Sequence, residues 1–520
     1  MGEPPLAPLE VAVLEANAVA LGASIDSLME NAGKVVAEEA ARHLPPPPSK
    51  VGIICGVGNN GGDGMMAGIH LREWGYQPEI WLLRPAAEIR GSAARRRWER
   101  ATTSIPVHIG CPEPSTIGTF PLWIDAMLGT GSRGDLREPY ASAVRELSAS
   151  RAPVLSVDLP TGLGTSSPLV PKWTVALEVL KNGMTSETCG EIVVRSIGMP
   201  PEAHRRTGPG EFLLFPRPGP RTHKGEMGRL VIVGGGPYAG APALAGLAAL
   251  RAGVDMVYIL APAPTASVIQ SFSPNLIVRA VGTEGRFGPP DGKELAREAL
   301  SRRPDALLVG NGAGRDPGTL EALRTLVREA HPRVPLVLDA DGLSLADPSG
   351  DPPWRDGSPD HLLLTPNGRE FARLLGHAEE TSSPADAAAT GELARRLRAT
   401  LLKKGPEDVI SDGTRTKVNE THHPAMAVGG AGDVLAGVAA SLLARRLTAF
   451  QAGRLAAYWV GLTAVRLFPE RSFGMMATDL LEGLPGTLAA GLQALEDLQG
   501  TSDGARGEGL PPVTRTGPVP

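Results

Sequence analysis

Three aspartates and two glycine runs in this 520-residue chain stand where chemistry is commonly done. Asp125, in LWIDAMLGTGSRGDL, and Asp158, in PVLSVDLPTGLG, each follow a short apolar run and precede a glycine-rich stretch. A carboxylate so placed can bind a cation or pass a proton, or it can simply cap a helix. The stretch GVGNNGGDGMMAG, residues 56–68, sets Asn59, Asn60 and Asp63 among glycines. Glycine permits positive φ and lets the backbone come close to a ligand. The side-chain oxygens suit a hard cation or another polar ligand, although a tight turn would use the same residues. Asp433 stands in AVGGAGDVLAGVAASLLARR. There Gly429, Gly430, Ala431 and Gly432 offer N–H groups at the start of an apolar helix, which is the form of an anion hole. In that first turn Asp433 can accept the proton of a substrate hydroxyl as phosphoryl is transferred, or merely complement the helix dipole.

The elements that must position these groups are short apolar runs alternating with longer helical patterns, the mark of parallel sheets flanked by helices. KVGIICG (50–56) reads as a buried strand and MMAGIHLREWG (65–75) as the next helix. The glycine stretch would then join a strand's carboxyl end to a helix's amino end, where open α/β sheets bind ligands. Its spacing is not the usual GxGxxG. The runs ending at Asp125 and Asp158 supply two more strand ends, and three such ends would converge on one rim. In the second half, residues 228–262 read as strand, glycine turn, small-residue helix and strand, and DALLVGNGAG (305–314) repeats the pattern. VPLVLDADGL (334–343) ends in Asp339 and Asp341, which share a face if the strand runs that far. HLLLTPNGREF (361–371) ends a strand and starts a helix; a capped junction would explain each of these equally. The Pro- and Gly-dense residues 205–225 read as a linker, and the chain from about residue 500, without apolar periodicity, as disordered. The expected organisation is two different α/β domains, 1–210 and 223–495, with a linker at 211–222 and a tail at 496–520.

Composition narrows the partners. Length suits two or more domains, and 42% hydrophobic residues suit packed cores. A net charge of −5 and 4% aromatics give neither a basic stripe nor a stacking platform, so no nucleic-acid partner is expected. Cys55, Cys111 and Cys189 follow no metal or disulfide spacing and read as small buried hydrophobes of a reducing compartment. No leader pattern opens the chain and no apolar run is long enough to cross a bilayer. A cytoplasmic location without a membrane partner is the expectation.

SIDSLMENAG (24–33), GNNGGDG (58–64), DAMLGTG (125–131) and VDLPTG (157–162) resemble, in that order, the YjeF N-terminal domain, the NAD(P)HX epimerase. The resemblance covers roughly residues 8–205. It implies a Rossmann-like three-layer αβα sandwich acting on a hydrated nicotinamide cofactor. It also implies that Asn59, Asn60, Gly61, Gly62 and Asp63, with Gly129, Thr130, Gly131, Ser132, Arg133, Gly134 and Asp135, hold the dinucleotide. By the same resemblance Asn60, Asp125 and Thr161 hold a potassium ion, and Asp158 faces the hydrated ring as the candidate acid/base. Thr161 stands where the family usually has Ser, and the run GTSS from Gly164 replaces a usual acid.

The Asp433 segment resembles the GxGD signature of ribokinase-like αβα folds. With HKGEMGRLVIVGGG, TPNGREF, LLKKGPEDVI and GMMATDLLEGLP it is similar to the ADP-dependent NAD(P)HX dehydratase, over about residues 222–490. That resemblance implies adenine-nucleotide contacts from Lys404, Gly405, Pro406, Glu407, Asp408 and Gly432, an anion hole including Gly429 and Gly430, a magnesium ion, and ADP as co-substrate. Ala241, Gly312, Asn367 and Asp433 would lie near the hydrated cofactor; Asn367 stands where the family usually has His. The adjacent His422 and His423 read as surface residues rather than metal ligands, since no further ligand has suitable spacing.

The implied chemistry is coherent. Hydration puts a hydroxyl on ring carbon six, phosphoryl transfer makes it a leaving group, and the ring nitrogen expels phosphate. The dehydratase takes one epimer and the epimerase supplies it. A homo-oligomer is expected. Two other readings stay open: a ribokinase-type small-molecule kinase, which leaves the first domain unexplained, and a first domain that only binds dinucleotide.

Overall fold

The computed structural model describes residues 4–131, 134–331, 333–346, 352–354, 358–376 and 387–500. The chain divides into two compact units, one running to Ala203 with the residues from Ala494, the other His204–Gln493.

The first unit is built on seven parallel strands: β1 (Lys50–Cys55), β2 (Gln77–Leu82), β3 (Val107–Ile109), β4 (Trp123–Ala126), β5 (Val154–Val157), β6 (Trp173–Leu177) and β7 (Glu191–Arg195). Their order is β3-β2-β1-β4-β5-β6-β7. The order reverses between β1 and β4, so the crevice of a doubly wound sheet opens there. β1, β4 and β5 are neighbours, and their carboxyl ends do share one rim. β1 is buried along Val51–Cys55, as a strand covered by helices on both faces must be.

The glycine stretch differs from expectation. The helix begins at Asn59 rather than Met65 and runs Asn59–Glu73. Gly61, Gly62 and Gly64 are inside it and buried, and none of them takes positive φ. Packing is the reason they are glycine. A Cβ on Gly61 would lie 2.0 Å from the Gly56 carbonyl oxygen, and one on Gly64 would lie 2.3 Å from Ala126 Cβ. The helix Ile25–His43 presses on the same helix, where a Cβ on Gly33 would meet Met66 Cβ at 2.4 Å.

The second unit carries β8 (Arg229–Val233), β9 (Met256–Ala261), β10 (Ile277–Ala280), β11 (Ala306–Val309), β12 (Leu336–Leu338), β13 (Leu362–Leu364), β14 (Thr400–Lys403), β15 (Asp408–Ser411) and β16 (Thr416–Asn419). The order is β10-β9-β8-β11-β12-β13-β14-β15-β16, with only β14/β15 and β15/β16 antiparallel. The switch point lies between β8 and β11. The helices Gly240–Arg251 and Ala431–Ala444 meet closely: a Cβ on Gly437 would lie 2.1 Å from the Ala245 carbonyl oxygen. Gly437 is glycine for that contact, and Gly246 of the Gly240–Arg251 helix for another: a Cβ there would lie 2.9 Å from Leu276 Cδ2.

Two further expectations shift. Part of the stretch read as a linker is the 3-10 turn Pro209–Leu214, with Phe212 fully buried against Tyr458 and Trp459 of the Ala449–Arg471 helix. Beside it Glu211 pairs with Arg454 at 3.0 Å, both side chains buried. The helix Ala477–Gly500 takes in the first residues read as tail, and residues 501–520 lie outside the described residues. Among the described residues no helix is long and apolar enough to cross a membrane. Cys55 and Cys189 are buried and Cys111 is half-buried.

Candidate functional sites

At the first rim, Asp125 is the penultimate residue of β4 and is fully buried. Ser156 Oγ (2.8 Å), Thr161 N (2.9 Å), Thr161 Oγ1 (2.7 Å) and Met127 N (3.2 Å) donate to its carboxylate. These partners are all neutral; burial raises the pKa although the Thr161 bonds oppose the shift. Thr161 Oγ1 also accepts from Leu128 N at 3.2 Å. Asn60 sits across the crevice against Gly129, where a Cβ would lie 3.5 Å from Asn60 Oδ1. Its Nδ2 is buried without a partner. Asp125, Thr161 and Asn60 therefore gather one carboxylate, one hydroxyl and one unspent carboxamide at the switch point.

Asp158 follows β5 with φ of 66°, left-handed for a residue with a side chain. Such strain persists only where surrounding structure enforces it. Here Asp158 N donates to Val175 O at 2.8 Å, and Leu177 N donates to Asp158 Oδ1 at 3.3 Å. Lys181 Nζ forms a short ion pair with the same Oδ1 and donates to Leu177 O at 2.6 Å. Lys181 is 2% exposed, a buried cation that sequence reading did not single out. Asp63 is held well above the usual carboxylate range by burial and by the charges of Asp158 and Glu15.

The other expected ligand residues of this unit lie at the start of the Asn59–Glu73 helix and on the loop after β4. Asn59 is exposed, and Thr130, Gly131 and Gly134 belong to the loop after β4. Asp135 Oδ1 accepts from Ser166 Oγ at 3.2 Å, so the GTSS run docks on that loop. Ser132 and Arg133 lie outside the described residues.

The second rim centres on Asp339, which the sequence showed only as a strand-ending acid. β12 stops at Leu338, Ala340 takes φ of 50°, and the two aspartates part company. Asp341 accepts from Gly314 N at 2.8 Å. Asp339, 2% exposed, accepts from Thr365 Oγ1 (2.7 Å), Asn311 Nδ2 (2.9 Å) and Lys404 Nζ (2.8 Å). Asn311 Nδ2 also donates to Asp433 Oδ1 at 2.7 Å, and Asn311 Oδ1 is buried without a donor. Burial, then the charge of Asp339, pushes Asp433 up to about 6.

Asp433 occupies the first turn of the Ala431–Ala444 helix, whose N-cap Gly430 takes φ of 94° and makes no side-chain cap bond. A Cβ on Gly432 would lie 3.4 Å from Lys404 Nζ, so Lys404 spans from Asp339 to the helix start. Gly405, Pro406 and Glu407 form the exposed turn between β14 and β15, closed by Gly405 N to Asp408 Oδ1 at 3.1 Å. Gly312, with φ of 67°, lies against Ala241: a Cβ there would meet Ala241 Cβ at 3.3 Å. Asn367 is spent on a capping box, its Oδ1 accepting from Glu370 N at 3.0 Å. His423 is half-buried and stacks on Phe468, with ring centroids 3.6 Å apart. Among the described residues no cluster of three or more His, Cys, Asp or Glu could hold a metal.

Against this geometry, the family described as NAD(P)H-hydrate dehydratase matches residues 229–486, and the YjeF-related protein N-terminus matches residues 25–183. The chain is 38% identical to the bifunctional NAD(P)H-hydrate repair enzyme Nnr of Hyperthermus butylicus, over 98% of this chain and 97% of that one. It is 39% identical to the protein of the same name from Archaeoglobus fulgidus, over 92% and 97%. Among solved structures, an ADP/ATP-dependent NAD(P)H-hydrate dehydratase from Bacillus subtilis, co-crystallized with ATP/Mg2+, is 24% identical. It covers 55% of this chain and 98% of its own, with a TM-score of 0.48.

Proposed function

The chain belongs to the bifunctional NAD(P)H-hydrate repair enzymes, and on that premise we propose how its two rims divide the repair. The first unit epimerises R- and S-NAD(P)HX; the second dehydrates the S epimer to NAD(P)H at the expense of ADP. The observation that carries the reading is the Asp433–Asn311–Asp339–Lys404 array, with Asn311 and Asp339 buried and Asp433 and Lys404 half-buried, at an uncapped helix start.

Asp433 takes the proton of the carbon-six hydroxyl as phosphoryl moves onto that oxygen. The N–H groups at Gly430–Gly432 and the Lys404 ammonium receive the charge that develops on the phosphoryl oxygens. Asn311 orients Asp433 from below. Ala241 and Gly312 supply a wall without bulk, against which the hydrated ring rests. Magnesium, when bound, neutralises phosphate charge; Asn311 Oδ1, buried with no donor, is an oxygen that fits it.

In the first unit Asp158 faces the ring, and the glycine-rich helix start and the loop after β4 receive the dinucleotide. The donor set Asp125, Thr161 and Asn60 fits potassium: oxygens only, one formal charge, and an amide free to present either end. A cation there would offset the buried charge of Asp125 beside the pyrophosphate. The soluble substrates suit a cytoplasmic enzyme, and a homo-oligomer is part of the proposal, checked by sedimentation.

The test mixes purified protein with an NADHX epimer mixture, potassium, magnesium and ADP, and follows the return of NADH absorbance. Full, ADP-dependent recovery is expected. Asp433→Asn should abolish it and Asp158→Ala should leave one epimer behind. No recovery with ADP or ATP would sink the assignment and favour the small-molecule kinase.

A further inference from the structure

The segment HKGEMG, residues 223–228, has no part in either rim. It leads into β8, and Gly253 and Asp255 lead into β9, so these residues stand at the amino ends of the strands, away from the second rim. A cavity of about 630 Å³ opens there within the second unit, between this segment, Phe215, Pro218 and Arg445. Its size is that of a small-molecule site. Arg445 is the C-cap of the Ala431–Ala444 helix, whose first turn carries Asp433. The 14 residues of that helix hold the cavity about 20 Å from Asp433.

The cavity is built around a guanidinium. Arg445 is 7% exposed. Its Nη1 donates to Ala252 O at 2.9 Å and its Nη2 to Pro216 O, and its face lies 4.3 Å from the Phe215 ring centroid. Gly253 makes room for this seat: a Cβ there would lie 2.6 Å from Arg445 Nη1. The two carbonyls use only part of the guanidinium's donors, and Nε is buried without a partner. Among the described residues Arg445 forms no ion pair, although a buried charge ordinarily has one. Burial pulls its pKa down to about 10, against the charge of Asp255. Lys224 and His223 are exposed on the lining, and Lys224 also forms no ion pair among the described residues. Asp255 is the one acid of the lining. Its Oδ2 accepts from Gly225 N at 2.7 Å and Met227 N at 2.9 Å, which fixes the loop that bears Lys224.

We propose that this cavity is a second ligand site, which takes a phosphate dianion carried on a small organic molecule. Arg445 and Lys224 set two positive charges against the two negative ones, the first as a directional donor and the second as a point charge. Thr222 adds a hydroxyl and His223 an imidazole to the same wall. Phe215, Pro218 and Met227 give the apolar side against which the organic part packs. The ligand supplies the counter-charge that the chain itself withholds from Arg445, since the carboxylate of Asp255 is already engaged by backbone amides. The site stands whatever reaction either rim performs.

The experiment labels the full chain with pyridoxal 5′-phosphate, a probe that bears an aldehyde and a phosphate on one ring. Seated in the cavity, it meets the Lys224 amine. The nitrogen adds to the aldehyde carbon, water leaves, and borohydride reduces the C=N bond to a stable amine. Peptide mass mapping gives the rate at each lysine, with Lys404 counted apart as the reporter of the second rim. Lys224 should be modified about tenfold faster than the exposed Lys172, and Arg445→Gln should abolish the difference. AMP should protect Lys224 saturably and inorganic phosphate should not; equal protection by inorganic phosphate assigns the same anion site to the free ion. Protection is read on the parent chain, so it decides the matter even where Arg445→Gln fails to fold. A Lys224 that reacts no faster than Lys172, or that neither AMP nor phosphate protects, overturns the proposal.

Discussion

Asp433 shows how much one residue's setting decides. Its pKa of about 6 arises from desolvation and the neighbouring charge of Asp339, with Asn311 and Lys404 opposing. A base must be ionised, so dehydration should rise as pH climbs through about 6 and level off above it. The stability effect has its own sign. An acid whose folded pKa is raised contributes stability that is complete below its unfolded value and lost as pH rises through the folded one. Asp433→Asn should therefore stabilise the second unit by roughly 1–3 kcal/mol at alkaline pH, with little gain at acid pH, in thermal melts at both. Dehydration should fall by about 10²–10⁴-fold. At the first rim, Thr161→Val removes the hydroxyl that donates to Asp125 at 2.7 Å. We expect a loss of about 1–3 kcal/mol and an epimerisation rate that no longer distinguishes potassium from lithium. Asp125, Asp158 and Asp433 were legible because each stands against glycine at a strand or helix end. Asn311, Asp339 and Lys181 were not, since their meaning lies in distant partners: Asn311 and Asp433 are 122 residues apart.

At the scale of elements, strands and switch points could be read from apolar runs, while the start of the Asn59–Glu73 helix could not. Each glycine costs a helix about 1 kcal/mol relative to alanine, so a glycine cluster reads as a loop. Contact with β4 and the Ile25–His43 helix outweighs that cost. Gly64→Ala would drive a methyl to 2.3 Å from Ala126 Cβ and should destabilise the first unit by about 1–3 kcal/mol. Gly58→Ala, with φ of −103° and nothing within 4 Å of the added Cβ, should be tolerated. Calorimetry of the two variants checks the pair. The stretch read as a linker shows a related limit: Pro and Gly density marks irregular backbone, yet Phe212 and Glu211 inside it are buried.

For the whole molecule, each rim is assembled from residues of its own unit, and the substrate is small enough to diffuse between two copies. An Asp158→Ala chain and an Asp433→Asn chain, each incomplete alone, should together restore ADP-dependent recovery of both NADHX epimers. Recovery no better than the sum of the separate variants would mean that the hydrate does not pass freely between chains.

Neither rim finishes its own helix. The Asn59–Glu73 and Ala431–Ala444 helices begin at Gly58 and Gly430, and neither has a side-chain cap. Their leading amides must find acceptors outside the helix. On the proposed reading a bound phosphate would supply them, the ligand then acting as the missing turn of secondary structure. Gly62 N, Ala431 N and Val434 N already donate to Gly58 O, Val428 O and Gly430 O, so amide deuterium uptake at residues 59–61 and 432–433 should slow when dinucleotide and ADP respectively are added, which would make each helix terminus a spectroscopic counter of its own ligand.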